Sequence, residues 1–265
     1  MSSETPVVTA ALLVIGDEIL SGRTKDKNIG AIADHLTGIG IRLREVRVVA
    51  DDEDEIVAAV NALRARHTYL FTTGGIGPTH DDITADSIAK AFGVSIDVDP
   101  RAHKIMKDYC DARGVELTPA RLRMARLPMG SELVENSISI APGFMIGNTI
   151  VMAGIPDIMR VMLDAVTPRL RTGAKMLSET IALDRPESQI ADLFAAHQKL
   201  YPGIAMGSYP CLRDGHPATT SCCAAPMRRA FHERLLSLKT SSGSLFEDVT
   251  RAQITLNLRN FKSSY

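Results

Sequence analysis

Val7 to Ile15 is a continuous apolar run of strand length, closed by Gly16. Such a run predicts a strand buried on both faces, as in a parallel sheet. From Lys27 to Thr37 the period changes, and Ile29, Ile32, Ala33 and Leu36 share one helical face. Arg42 to Val49 is rich in β-branched residues and predicts a second strand. Glu53 to Arg66 carries Ile56, Ala59, Val60 and Leu63 at helical spacing, with Asp51 or Asp52 as its cap. Thr68 to Thr73 predicts a third strand, and Ala85 to Phe92 the helix after it. Further on, Pro100 to Arg113 and Pro119 to Ala125 read as helices, Leu127 to Gly147 as loop, Thr149 to Ala153 as a strand, and Asp157 to about Leu170 as a helix. Strands alternating with helices of this length predict an α/β fold, a parallel sheet with helices on both faces. Ligands of such sheets bind beyond the carboxyl ends of the strands.

That rule draws attention to the loops after the strands. The run Thr72-Thr73-Gly74-Gly75-Ile76-Gly77-Pro78-Thr79-His80-Asp81-Asp82-Ile83-Thr84 joins a strand to a helix through three glycines. Glycines let a backbone approach a ligand closely, and the first N–H groups of a helix attract anions. Two adjacent carboxylates, Asp81 and Asp82, do not suit a bare phosphate; they predict a bound cation or contacts to polar ligand groups. Thr84 is expected to cap the helix, and Thr73 to orient the loop. His80 is read as a solvated loop side chain. The loop after the first strand, Gly16-Asp17-Glu18-Ile19-Leu20-Ser21-Gly22, faces the same edge, with Glu18 a candidate base or water-mediated metal ligand. Gly154-Ile155-Pro156 repeats the strand–glycine–helix pattern, with Pro156 suited to the first helical position. Gly143 and Gly154 are expected to permit close backbone approach.

Composition limits the partners. The 265 residues carry a formal net charge of −1, which argues against nucleic acid as the main ligand. No 18-residue apolar run predicts a membrane span, and Met1 to Pro6 lacks the features of a signal peptide. The four cysteines, Cys110, Cys211, Cys222 and Cys223, fit neither a zinc pattern nor a disulfide framework, so a cytoplasmic location is expected.

Gly16 to Gly22, Asn28, Thr72 to Thr84, Ala141-Pro142-Gly143-Phe144 and Gly154 to Pro156, in this order, resemble the CinA N-terminal family of the molybdopterin-binding (MoaB/Mog-like) superfamily. The resemblance covers roughly residues 8–210. It implies a three-layer α/β sandwich in residues 1–172, the start of a small α/β module in 173–210, and a homo-oligomer. In pterin-binding members an Arg-Asp pair stands where this chain has Asp81-Asp82. The CinA branch is similar to metal-dependent pyrophosphatases acting on ADP-ribose- or FAD-like dinucleotides. The implied assignments are Asp82 and Glu18 as catalytic residues, and Asp81 and Asp82 as ligands of Mg²⁺ or a similar divalent metal. Gly16, Asp17, Gly22, Asn28, Thr73, Gly74, Gly75, Gly77, Pro78, Thr84, Pro142, Gly143, Gly154 and Pro156 would contact a nucleotide. The other reading is a pterin-binding protein without hydrolysis. The chain is too short for the deamidase domain of full-length CinA proteins, so no deamidation is expected.

Beyond Pro210 the resemblance stops, and residues 211–265 read as a divergent tail. Family members continue with a strand similar to Asn-Leu-Val-Leu-Arg, where this chain has Thr220-Ser221-Cys222-Cys223-Ala224. In the neighbouring reading frame Thr220 to Phe231 can be decoded as Asn-Leu-Val-Leu-Arg-Gly-Thr-Asp-Ala-Pro-Arg-Leu. A frameshift between about Pro210 and Thr220 is therefore expected, with a poorly packed tail as its consequence. The rival is a genuine tail, in which Met227, Phe231 and Leu235 share a helical face and Ile254, Leu256 and Leu258 alternate. Sequencing the source locus decides: the same unbroken frame and tail in close relatives sinks the frameshift.

Overall fold

The computed structural model describes residues 7–201 and 205–226. They fall into two units that divide between Ala174 and Lys175. The first unit runs β1 (Val8–Ile15), α1 (Asp17–Leu20), α2 (Asn28–Gly38), β2 (Ile41–Val49), α3 (Glu53–Arg66), β3 (Tyr69–Thr73), α4 (Thr84–Phe92) and β4 (Ile96–Val98). It continues through α5 (Pro100–Ala112), α6 (Pro119–Arg123), β5 (Arg126–Pro128), β6 (Glu132–Val134), β7 (Gly143–Ile146), β8 (Thr149–Met152) and α7 (Pro156–Val166).

The main sheet has the order β2-β1-β3-β8-β7-β6. Its first four strands are parallel, and β7 and β6 close it antiparallel. The central strand β1 shows why the apolar run is unbroken. Ala10, Leu12 and Val14 enter one core with Ile32 and Leu36 of α2 and Met159 and Met162 of α7. Ala11, Leu13 and Ile15 enter the opposite core with Ile56, Val60 and Leu63 of α3 and Ile88 of α4. Both faces are covered, so the period-2 alternation sorts residues between two apolar cores instead of core and solvent. The result is the expected three-layer sandwich.

The stretch from Leu127 to Gly147 differs from its expected loop character. It contains β6 and β7 and most of β5, which pairs with β4 in a separate antiparallel ribbon. Strands of three or four residues are too short to establish a period, and their pairing is fixed by neighbours distant in sequence. Asp52, not Asp51, caps α3: its side chain accepts a hydrogen bond from Glu55 N–H at 3.0 Å.

The second unit holds β9 (Met176–Leu183), α8 (Glu187–Leu200), β10 (Ala205–Arg213) and β11 (His216–Pro226), with an antiparallel sheet of order β10-β11-β9. Order therefore continues past Pro210. Asp214 at φ 50° and Gly215 at φ 79° turn β10 into β11, the two positive angles that a tight hairpin requires. Ala218 and Thr219 are buried in the strand that follows. The expectations placed on Met1 to Pro6 and on the tail beyond residue 226 lie outside the described residues.

Candidate functional site

The carboxyl ends of β1, β3 and β8 meet at Gly74. This residue has φ +102°, and a Cβ there would stand 2.1 Å from the carbonyl oxygen of Ile15. Its N–H donates to Met152 O at 3.2 Å. On the third side, a Cβ on Gly154 would lie 3.3 Å from the Gly74 Cα. Only glycines allow these backbones to approach so closely. Asn28, at the start of α2, donates from Nδ2 to Gly154 O at 2.7 Å and ties the third loop to the junction. Asn28 Oδ1 and the Thr73 hydroxyl are buried without a hydrogen-bond partner. Pro156 occupies the first turn of α7, directly after Gly154 and Ile155. The three loops singled out in the sequence thus form one wall.

Contrary to the sequence expectation, Thr84 does not cap α4. The cap position is Ile83, with no side-chain cap, and Thr84 is fully buried in the first turn. Its hydroxyl donates to Gly74 O at 3.0 Å and its N–H to Gly75 O at 3.0 Å. A Cβ on Gly75 would stand 2.2 Å from that hydroxyl oxygen. The helix start is therefore pinned to the loop from inside. Further along, Asp82 turns its carboxylate back toward Gly77 and accepts from Thr79 N–H at 2.8 Å, and also from the Thr79 hydroxyl. Pro78 is exposed, and His80 is 98% exposed, as a solvated loop histidine should be.

The acids of the loops converge on Asp51, which the sequence marks only as a candidate helix cap. Asp51 follows β2 and accepts Asp17 N–H at 3.0 Å. Burial pushes its carboxyl up; the Asp17 N–H opposes this, and the nearby charges of Asp17, Glu18 and Asp81 add to the rise. Carboxylates from three loops therefore share one electrostatic neighbourhood. Asp81 itself is held below the ordinary carboxylate range, first by the Thr79 hydroxyl, whose hydrogen bond goes to Asp82 and which lies close to both carboxylates, then by its own backbone N–H, with a smaller contribution from His80. Among the described residues no three His, Cys, Asp or Glu side chains stand close enough together to hold a metal by themselves. Glu18 folds back over Gly16, its carboxylate 2.5 Å from where a Cβ would stand.

An open cleft beside the loop is lined by Gly75, Gly77, Asp82, Asp86, Arg123, Arg126 and Pro142, among others. Its arginines come from α6 and β5, a region read as a short helix and loop with no chemical motif, and no local spacing marked them. Two of the predicted contact glycines have structural tasks of their own. Gly143 is buried within β7, where a Cβ would stand 2.5 Å from Val151 O and 3.1 Å from the Met162 sulfur, so sheet and core packing account for this glycine. Gly22 is exposed at φ +72° with nothing within 4 Å of a Cβ, which makes it a turn residue.

Residues 11–172 match the family described as "Probable molybdopterin binding domain", and residues 175–221 match "FAD synthase, middle domain". A CinA-like protein from Desulfosudis oleivorans is 36% identical over 209 residues, 75% of this chain and 51% of that protein. The chain thus spans about half the length of that relative. A protein from Pyrobaculum arsenaticum is 33% identical over 210 residues, 76% of this chain and 79% of its own. The crystal structure of the protein CinA with unknown function from Thermoplasma acidophilum is 33% identical at a TM-score of 0.57, covering 62% of this chain and 98% of that one. Among the described residues no helix is long and apolar enough to cross a membrane.

Proposed function

The chain belongs to the CinA-like branch of the molybdopterin-binding-domain family, and from that premise we propose that it binds a nucleotide diphosphate at this wall and hydrolyses it with a divalent metal. The carrying observation is the convergence of Asp17, Glu18 and Asp81 on the half-buried Asp51, beside a glycine loop and a helix start. Anion-receiving backbone and neighbouring carboxylates at one edge of the sheet suit a ligand of both signs, a diphosphate with its counter-cation. Oxygen donors suit a hard cation such as Mg²⁺. That ion is commonly held by one or two carboxylates plus substrate phosphates.

Asp81 and Asp82 would hold the metal, which when bound neutralises phosphoryl charge and lowers the pKa of water. The glycine loop and the start of α4 position the diphosphate. Glu18 takes the proton of the attacking water. The water oxygen forms the new P–O bond, the bridging P–O bond breaks, and two phosphate monoesters leave, AMP being one of them. ADP-ribose or an FAD-like dinucleotide is the proposed substrate, and the match of residues 175–221 to a middle domain of FAD synthase supports a nucleotide ligand. The homo-oligomer implied by the resemblance is part of the same proposal.

The second reading, pterin binding without hydrolysis, draws on the family description. The deciding experiment incubates the protein with ADP-ribose, FAD and molybdopterin, with and without Mg²⁺ or Mn²⁺, and assays AMP. Metal-dependent AMP release is expected. No AMP under any metal, with tight pterin binding, reverses the ranking.

A further inference from the structure

The two arginines of the cleft are not equivalent. Arg126 is fully engaged: Nη2 and Nη1 donate to the Asp86 carboxylate at 2.7 and 3.1 Å, a two-point grip that ties β5 to α4. Its charge is neutralised in place. Arg123, at the end of α6, has no carboxylate at ion-pair distance among the described residues. Its Nη2 lies 3.5 Å from Asp82 O, at the limit of a hydrogen bond. Its Nε is buried and has no partner.

A guanidinium is always charged and offers five donors in a fixed fork. Leaving a donor of a cation out of water and unpaired is costly, and proteins rarely tolerate it without a use. Arg123 itself lines the cleft, together with Gly75, Gly77 and Asp82. A bidentate oxyanion fits that fork, and phosphoryl oxygens match it in charge and spacing.

We propose that Arg123 is the phosphate clamp of this cleft, taking two phosphoryl oxygens of the diphosphate through its guanidinium edge. The proposal rests on the reading of the cleft as a diphosphate site. Arg126, held by Asp86, stays out of the contact and fixes the walls. The clamp supplies from a distant segment the cationic grip that Asp81-Asp82 cannot give.

The test is calorimetric titration of the full chain with inorganic pyrophosphate, with and without Mg²⁺, and with adenosine as the phosphate-free control. Arg123→Met keeps length and loses charge; Arg123→Lys keeps charge and loses the fork. Pyrophosphate affinity should fall on the order of tenfold to a hundredfold in Arg123→Met, the range of a lost charge-assisted contact. Arg123→Lys should fall between that variant and the wild type, and adenosine binding should not change. Wild-type affinity in Arg123→Met, or no pyrophosphate binding by the wild type, overturns the clamp. Should Arg123→Met not fold, Arg123→Lys decides: affinity below wild type supports the clamp, and equal affinity overturns it. Failure of the hydrolytic reading is distinguishable, since AMP release would be absent while pyrophosphate binding still depended on Arg123.

Discussion

Gly74→Ala should cost the first unit about 2–6 kcal/mol and remove ligand binding with it. Two effects add. A residue other than glycine at φ +102° is strained by about 1–3 kcal/mol. The added methyl also meets the Ile15 carbonyl oxygen at 2.1 Å, and that atom is backbone, anchored in the central strand. It cannot swing away as a side chain would, so overpacking adds about 1–3 kcal/mol. The relief available is to separate β1 from β3 at their carboxyl ends. That would also strain the Gly74 N–H bond to Met152 O and the Thr84 hydroxyl bond to Gly74 O. Thermal and urea unfolding read the cost. Gly93→Ala is the control: its glycine caps α4 at φ +66° with nothing within 4 Å of a Cβ, so it should lose only about 1–2 kcal/mol from the backbone conformation. Equal losses in the two variants would show that the junction at Gly74 is not the crowded point.

The same residues explain what could be read from the sequence. β1, β3 and the helices α2 to α4 were legible because each commits enough residues to one period. β1 is apolar throughout because both its faces are covered, and α3 carries its cap and its apolar stripe in one segment. The glycine loop was legible because close backbone approach needs glycine at fixed places in the chain. Asp51 was assigned as an alternative cap because a carboxylate just before a helix has that default role; only its contact with the Asp17 N–H, 34 residues away in sequence, shows otherwise. Arg123 and Arg126 left no local signal, since what distinguishes them is a carboxylate: that of Asp86 for Arg126, and none at ion-pair distance among the described residues for Arg123. Thr84 misled for a similar reason. A threonine after a loop and before a helix resembles a cap, but here the hydroxyl reaches back ten residues to Gly74. In the second unit, Asp214-Gly215 was a readable hairpin signal that the expectation of a divergent tail after Pro210 obscured, whereas the match to the FAD synthase middle domain runs to residue 221.

Asp82→Asn separates the chemistry of the loop from its shape, and on the proposed reading it lowers turnover of ADP-ribose by about 10²–10⁴-fold, the scale of removing one placed catalytic group. The fold should survive. Asp82 has a structural task, accepting Thr79 N–H at 2.8 Å and the Thr79 hydroxyl. Asparagine keeps the volume and one carbonyl acceptor for that N–H. The hydroxyl can rotate to accept from the new amide, so the loss in stability should stay near 1 kcal/mol. What asparagine cannot do is supply a negative charge to a cation bridging the diphosphate. Metal dependence should shift as well, with the remaining activity requiring more Mg²⁺ than the wild type. AMP release across a Mg²⁺ series, read beside a melting curve, checks both halves. Turnover within about threefold of wild type, below half a decade of rate and under about 1 kcal/mol of barrier, would remove Asp82 from the chemistry and leave it as a loop staple.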